Sequence, residues 1–401
     1  MALDPSIFTQ LGIYDGPWNR PTGNVNGTTG NDDIQNGGVL NLLVNGYGGN
    51  DRVTITGGLA STVNGGDGSD QLYGGGGIDV LSGDAGNDYI DGGDGVDILS
   101  GGAGSDTLSY ASFIGGGVRI DLSQPNVLGN IDVKVVNGQG QWVSNGDVVS
   151  NNFENIVGTH NDDTITGNEG NNILVGLDGN DHLFGRGGDD VLVAGRGDGE
   201  LFGEAGNDTL VLGRIVLAQN TGDTLVANGG DGIDTLDLSG PENVRVFLDS
   251  GSGEVLGFPR SMTLIISGIE NVIGSRSFDV IDGDSGNNVI TGGGSFDLLT
   301  GGGGNDTFRY MTTTDSGNET GRDIIDDFGR GDKIDLQLID ANANVAGDQA
   351  FNFIGNTAFS GVAGQLHMNG QNLEGDVNGD GVADFAVQFD NGVPQAGDFI
   401  L

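Results

Sequence analysis

From Gly65 to Ser109 the chain repeats itself every nine residues: GGDGSDQLY, GGGGIDVLS, GDAGNDYID, GGDGVDILS and GGAGSDTLS follow one another without a gap. Gly holds positions 1 and 4, Gly or Asp position 2, Asp position 6 and a large apolar residue position 8. So much glycine costs backbone entropy that is justified only where φ is positive or two backbones must approach closely. Positions 1–6 are therefore neither helix nor ordinary strand. Positions 7–9 carry Leu72, Leu81, Ile90, Leu99 and Leu108 at their centres, which suits a very short strand showing one side chain to an interior. Turn and strand alternate, so two units make one coil, and stacked coils form two short parallel sheets with the apolar residues between them. One unit buries nothing alone, so several must stack. A disordered Gly/Asp linker would have no reason to keep Leu or Ile at every eighth position of the unit.

In such a stack turn n lies beside turn n+2, and the Asp residues form a column. Carboxylates held that close repel one another unless a cation lies between them. Carboxylate and peptide carbonyl oxygens are hard ligands that suit Ca²⁺ better than Zn²⁺, and glycine lets the carbonyls turn inward. The rest of the composition agrees. The chain has 401 residues, 81 of them Gly, no Cys, and a formal net charge of −43. Nucleic acid is an unsuitable partner for such an acidic chain. Without cysteine, any covalent-like staple has to be a metal. No stretch is long and apolar enough to span a membrane as a helix. The start, MALDPSIFTQLGIYDGPWNR, has neither the basic end nor the apolar run of a Sec signal peptide.

Taken in order, residues 1–26 read as an irregular N-terminal segment or cap. A first roll covers 27–109, degenerate over 27–64 and regular over 65–109. Its units at Gly27, Gly46 and Gly65 start nineteen residues apart, one more than two nonapeptides, and the half-coils between them lack a turn Asp. Asp32 and Asp51 are then ligand candidates on one side at most. Residues 110–157 break the period; VRIDLS, IDVKVV and QWVS read as strands of a β insert with a hairpin turn. A second roll runs over 158–211, with Asp163, Asn172, Asp181, Asp190, Gly199 and Asp208 at position 6. Residues 212–273 are a connector plus a second β insert, holding one isolated unit, GGDGIDTLD. The third roll, 274–309, places Asp279, Asn288, Asp297 and Asp306 at position 6. The inserts match each other: Val118-Arg119-Ile120 with Val244-Arg245-Val246, and Phe153-Glu154-Asn155-Ile156 with Ile269-Glu270-Asn271-Val272. Residues 310–401 read as an antiparallel β cap that covers the open end of the solenoid.

These residues resemble a known family. The nonapeptides resemble RTX (hemolysin-type) calcium-binding repeats. GGGGNDTFRY, DIIDDFGRGDKIDLQLID, DGVADFAV and the final DFIL resemble the C-terminal region of serralysin-type metalloproteases and of alginate epimerase R-modules. The resemblance implies an all-β fold: a parallel β-roll solenoid in three blocks, with antiparallel β inserts and a C-terminal β cap. It implies that each Ca²⁺ takes an Asp and backbone carbonyls from two neighbouring turns. The pairs would be Asp70 with Asp88, Asp79 with Asp97, Asp88 with Asp106, Asp163 with Asp181, Asp190 with Asp208, and Asp279 with Asp297. Asn172 with Asp190 and Asn288 with Asp306 would be weaker, and Asp181 with Gly199 is the doubtful pair. That amounts to roughly eight or nine ions, or about 16 to 18 positive charges. The DFIL end implies an uncleaved type I secretion signal, and with it a partner exporter.

The family's enzyme is what the sequence does not carry. There is no HExxH, and the three histidines, His160, His182 and His367, stand in separate units. No Ser has Gly at both −2 and +2. Asp376-Val-Asn378-Gly-Asp380-Gly381 with Asp384 is like the start of an EF-hand loop, but Val387 stands where the closing Glu belongs, so a polar hairpin turn is expected. Arg196-Gly197-Asp198 is explained by the repeat. The expectation is a secreted, calcium-binding, non-catalytic protein, extracellular or at the cell surface of a Gram-negative-type bacterium. Its role would be structural or adhesive, at the surface or in the matrix. An extracellular polysaccharide-binding module and an undetected hydrolase are the alternatives.

Overall fold

The computed structural model describes residues 23–36, 42–124, 130–131, 133–136, 141–213, 223–256, 261–317 and 321–401. Of the expected irregular N-terminal segment at 1–26, residues 1–22 lie outside the described residues, and Gly23–Asn26 is a strand paired with Leu42–Gly48 rather than irregular chain. The chain divides into two compact units, Met1–Gly179 and Asn180–Leu401. Among the described residues the regular structure is all strand, apart from one short 3₁₀ turn at Ala396–Asp398.

In the first unit, one parallel ladder runs through Gly23–Asn26, Leu42–Gly48, Ser61–Asp67, Val80–Ala85, Ile98–Ala103 and Val148–Ser150. The facing ladder runs through Asp33–Asn36, Arg52–Ile55, Gln71–Tyr73, Tyr89–Asp91, Thr107–Ser109, Asn155–Val157 and Ile173–Val175. Leu81 pairs with Leu99, and Ile90 with both Leu72 and Leu108, so each coil is two nonapeptides. Val44 pairs with Val63, nineteen residues on, which is the longer first coil read from the glycine starts. Leu72, Leu81, Ile90, Leu99 and Leu108 are all 0% exposed. Alternate residues of each strand point inward, because the side-chain period of a strand is two.

Val148–Ser150 and Asn155–Val157 complete a further coil, so only the stretch between Ser109 and Val148 leaves the roll. That excursion is a meander. Val118–Asp121 runs antiparallel to Lys134–Val136, which runs antiparallel to Trp142–Ser144. Its first strand then accepts Thr164–Thr166 in parallel. The second unit repeats the device. Val244–Phe247, Ser252–Val255 and Met262–Ser267 form an antiparallel meander, and Val244–Phe247 accepts Val280–Asp282 in parallel. The paired sequence matches between the inserts thus correspond to one topology used twice.

Beyond the third roll the ladders continue into the C-terminal region. Leu299 pairs with Ile325 and Phe308 with Ile334. A meander of Gln365–Asn369, Asn372–Asp376 and Phe385–Phe389 then docks on Asp323–Ile325 through its last strand. Phe399–Ile400, from the DFIL end, pairs with Lys333–Asp335. Aromatic residues fill this end. Tyr310 meets Phe385 edge-on at 5.1 Å and Phe328 meets Phe389 at 5.3 Å between centroids, a preferred geometry for ring quadrupoles.

The buried position-8 residue of each unit makes the core sensitive to truncation. Leu81→Ala should lower the stability of the calcium-loaded protein by about 2–5 kcal/mol in urea denaturation. Ile78→Ala, at a side chain 51% exposed, should stay within about 0.5 kcal/mol of the parent.

Candidate metal centre

The Asp at position 6 closes each turn onto the one before it. Its Oδ1 accepts the main-chain N–H of the equivalent residue one coil earlier. Asp51 donates to Asp70 (2.7 Å), Asp70 to Asp88 (2.8 Å), Asp88 to Asp106 (2.9 Å) and Asp79 to Asp97 (2.8 Å). In the second unit Asp190 donates to Asp208 (2.8 Å), Asp279 to Asp297 (2.8 Å) and Asn288 to Asp306 (2.9 Å). The expected neighbours within each unit therefore stand side by side. The pairs Asp163 with Asp181 and Asn172 with Asp190 divide between the two units. Asp181 is buried, and Gly199 offers it no side chain; a Cβ at Gly199 would meet Leu225 and Ala194 instead.

The columns also recruit acids outside the regular nonapeptide blocks. Asp32 donates to Asp51 (2.8 Å), Asp97 to Asp147 (2.8 Å), Asp208 to Asp234 (2.7 Å), Asp297 to Asp323 (2.9 Å) and Asp306 to Asp332 (3.0 Å). Glu154 receives the N–H of Asp106, and Glu270 that of Asp234, both at 2.8 Å. Asp147, Glu154, Glu270, Asp323 and Asp332 were legible only as an acid followed two residues later by an apolar side chain, whereas Asp234 holds position 6 of the isolated unit GGDGIDTLD.

The other carboxylate oxygen decides what the site can hold. Oδ2 of Asp51, Asp70, Asp79, Asp88, Asp97, Asp106, Asp208, Asp234, Asp297 and Asp323 is buried and accepts no hydrogen bond. A buried oxygen anion without a donor is costly. Most of these oxygens face more oxygen. A Cβ placed on Gly65 would strike Asp70 Oδ2 and the carbonyl of Gly83, and one on Gly203 would strike Asp208 Oδ2 and the carbonyl of Gly229. Glycine at position 1 thus keeps open a space lined by carboxylate and carbonyl oxygens. No three acidic or histidine side chains converge on one point among the described residues. A cation here would rest on one or two carboxylates completed by main-chain carbonyls, a donor set that fits Ca²⁺.

Burial raises these acids in the cation-free fold. Asp79 and Asp88 are pushed up to about 7, and Asp97 and Asp297 to about 8. Neighbouring carboxylates add to burial: Asp147 and Asp79 act on Asp97, and Asp279 on Asp297. Asp106, Asp234 and Asp306 are held at about 6, again chiefly by burial. Asp323 is raised well above the ordinary value by burial and then by Asp297.

Turns of two kinds hold these acids. In the nonapeptide turns whose oxygen is left without a donor, the residue at position 2 has positive φ. It is Gly66 (117°) before Asp70, Gly102 (127°) before Asp106 and Gly293 (98°) before Asp297. The same conformation is forced on Tyr47, Asp84 and Glu204, at φ 76°, 72° and 74°, where a Cβ costs about 1–2 kcal/mol. In the other kind position 2 avoids positive φ and its N–H reaches the position-6 side chain. Thr159 donates to Asp163 Oδ2 (2.6 Å), Asn168 to Asn172 Oδ1 (2.7 Å), Ser275 to Asp279 Oδ2 (2.5 Å) and Asp284 to Asn288 Oδ1 (2.9 Å).

The remaining marked residues lie elsewhere. His160 pairs with Asp178 and His182 with Glu200, both exposed. His367 is buried against Glu374 and the carbonyl of Thr357. In the 376–384 loop Asp376 accepts the N–H groups of Gly379 (2.6 Å) and Gly381 (2.9 Å), and Asp384 that of Val377 (2.9 Å), closing the hairpin between two strands of the meander.

Comparison with known families agrees with this geometry. Segments within 57–108 and 157–214 match the RTX calcium-binding nonapeptide repeat, and residues 216–401 match the Peptidase M10 serralysin C-terminal region. No curated protein matches the chain. The chain therefore carries RTX repeats, folded as a β-roll, joined to a serralysin-type C-terminal region.

Proposed function

We propose that this is a secreted calcium-binding protein whose rolls fold on extracellular Ca²⁺. We place it as a non-catalytic structural or adhesive component of the cell surface or matrix. The observation that carries the reading is the row of buried, donor-less Oδ2 atoms, with a main-chain carbonyl beside those of Asp51, Asp70, Asp79, Asp88, Asp106, Asp208 and Asp234. Bound Ca²⁺ would supply positive charge to these oxygens and cancel the repulsion along each column. The residues that would hold it are Asp70, Asp79, Asp88, Asp97, Asp106, Asp181, Asp190, Asp208, Asp297 and Asp306, with Asp51, Asp234 and Asp323 added from the geometry. Where calcium is scarce, self-repulsion and glycine entropy oppose the roll, a state suited to passage through a type I exporter. The serralysin-type region and its DFIL end support that route. A non-catalytic role is supported by the commitment of the buried Asp residues to the ladders and of each histidine to its own acid or carbonyl.

Two measurements test this. Far-ultraviolet circular dichroism in EGTA should show a largely unfolded chain at neutral pH, and millimolar Ca²⁺ should restore strand signal. A chain fully folded in EGTA would overturn the reading. The second follows from the raised carboxyls. Their folded values, about 7 to 8 for Asp79, Asp88, Asp97 and Asp297, exceed the ordinary 3.8. Protonation therefore stabilises the cation-free roll fully below about pH 4, and that contribution is lost as pH rises through about 7 to 8. Protons and calcium each neutralise the same oxygens of the folded roll, so the calcium concentration at half-folding should fall as pH falls from about 8 to about 6. A midpoint indifferent to pH would count against it.

A further inference from the structure

The two kinds of turn are not scattered. Within the unit of 180–401 they meet in consecutive coils of one face: Gly274–Asp279 reads GSRSFD and Gly292–Asp297 reads GGGSFD. Their strands pair directly, Val280 with Leu298 and Ile281 with Leu299. The two turns differ only at positions 2 and 3. At Gly293 φ is 98°, and a Cβ there would strike the carbonyl of Ser275, so only glycine fits. Asp297 Oδ2 is then buried without a donor. At Ser275 the backbone avoids positive φ, and the carboxylate of Asp279 is filled. Its Oδ2 takes the Ser275 N–H; its Oδ1 takes the Ser275 hydroxyl (2.9 Å) and the Val244 N–H (2.6 Å).

The turn that follows closes itself differently. Asn288 Oδ1 accepts the Asp284 N–H, and its Nδ2 donates to the carbonyl of Glu270 (2.9 Å). An amide Nδ2 in that direction presents hydrogens where a cation would need oxygen. The unit of 1–179 holds the same sequence of events after its own insert. Thr159 fills Asp163 through its N–H and its hydroxyl (2.9 Å to Oδ1), Val118 adds its N–H (2.7 Å), and Asn172 Nδ2 donates to the carbonyl of Glu154 (2.7 Å).

We propose that among the nonapeptide turns calcium loads only those with positive φ at position 2, and that the coils 158–175 and 274–291, which follow the inserts, are sealed by their own side chains and take none. Asp163, Asn172, Asp279 and Asn288 are then hydrogen-bonded plugs rather than ligands. This inference rests on the reading of the open turns as calcium sites. A sealed coil gives the roll a footing on each insert that does not wait for metal. It also makes position 2 the residue that determines occupancy: a hydroxyl, amide or acid with negative φ closes the turn, and positive φ opens it.

The test counts bound ions on the full chain by equilibrium dialysis with radiolabelled calcium at saturation, with circular dichroism as the check of folding. Asp279→Asn should bind as many ions as the parent, since Asn288 already shows how an amide seals such a turn. Asp297→Asn should bind fewer. Ser275→Gly, which makes the turn GGRSFD, should gain one ion. A parent that binds no calcium overturns the functional reading itself. A parent that binds calcium, with Asp279→Asn losing an ion or a folded Ser275→Gly gaining none, overturns the assignment of sealed turns alone. If Ser275→Gly does not fold, the comparison of Asp279→Asn with Asp297→Asn decides it.

Discussion

The roll depends on one bond repeated coil after coil: the main-chain N–H of a turn residue donated to the carboxylate one coil on. It fixes the distance between turns, and it orients each Asp so that one oxygen is used and the other is aimed into the stack. The strands of the roll contribute only a few ladder bonds each, and three-residue strands such as Gln71–Tyr73 would not hold register unaided. The carboxylate ladder supplies register at the turns, where glycine leaves the backbone least constrained. It does so by burying acid groups, whose charge is costly there unless protons or a cation meet it. Structure and cation dependence have the same origin.

The glycines serve this arrangement in two ways. Those at position 1, such as Gly65 and Gly83, keep a volume clear beside the Asp oxygen. Those at position 2, such as Gly66 and Gly102, permit the left-handed backbone. Asp84, Arg186 and Glu204 adopt the same left-handed backbone with a side chain attached, which shows that the turn is imposed by the stack rather than chosen by local preference.

Much of this could be read from the residues. The nine-residue period located the core at Leu72 through Leu108, the two-unit coil and the long coils near the start, because each follows from spacing alone. The acids were legible where Gly flanks them. Asp147, Glu154, Asp323 and Glu270 were not, because an insert or the C-terminal region delivers them to the column from a different chain distance, and only the three-dimensional ladder restores their equivalence. The two kinds of turn were also hidden. Thr159 and Ser275 differ from glycine by one small side chain, and its effect is to change the sign of φ, which no composition reveals. The extent of the first insert was masked by chemistry of another kind: Val148 and Val149 look like any hairpin strand, yet they lie on Ile98 and Leu99.

Glu154 and Glu270 each receive the last N–H of an aspartate series, and the residue one coil on is an asparagine, Asn172 or Asn288. The amide is a neutral rung in a line of acids. It sets Glu270 two rungs from Asp306, about 9 to 10 Å at the spacing of adjacent strands, close to the Debye length of a physiological salt solution. Charge on one side of the amide thus lies two rungs from the other, with no acid on the rung between. The line of carboxylates is broken into short segments, so repulsion between adjacent rungs is confined to a segment and does not run unbroken through the molecule.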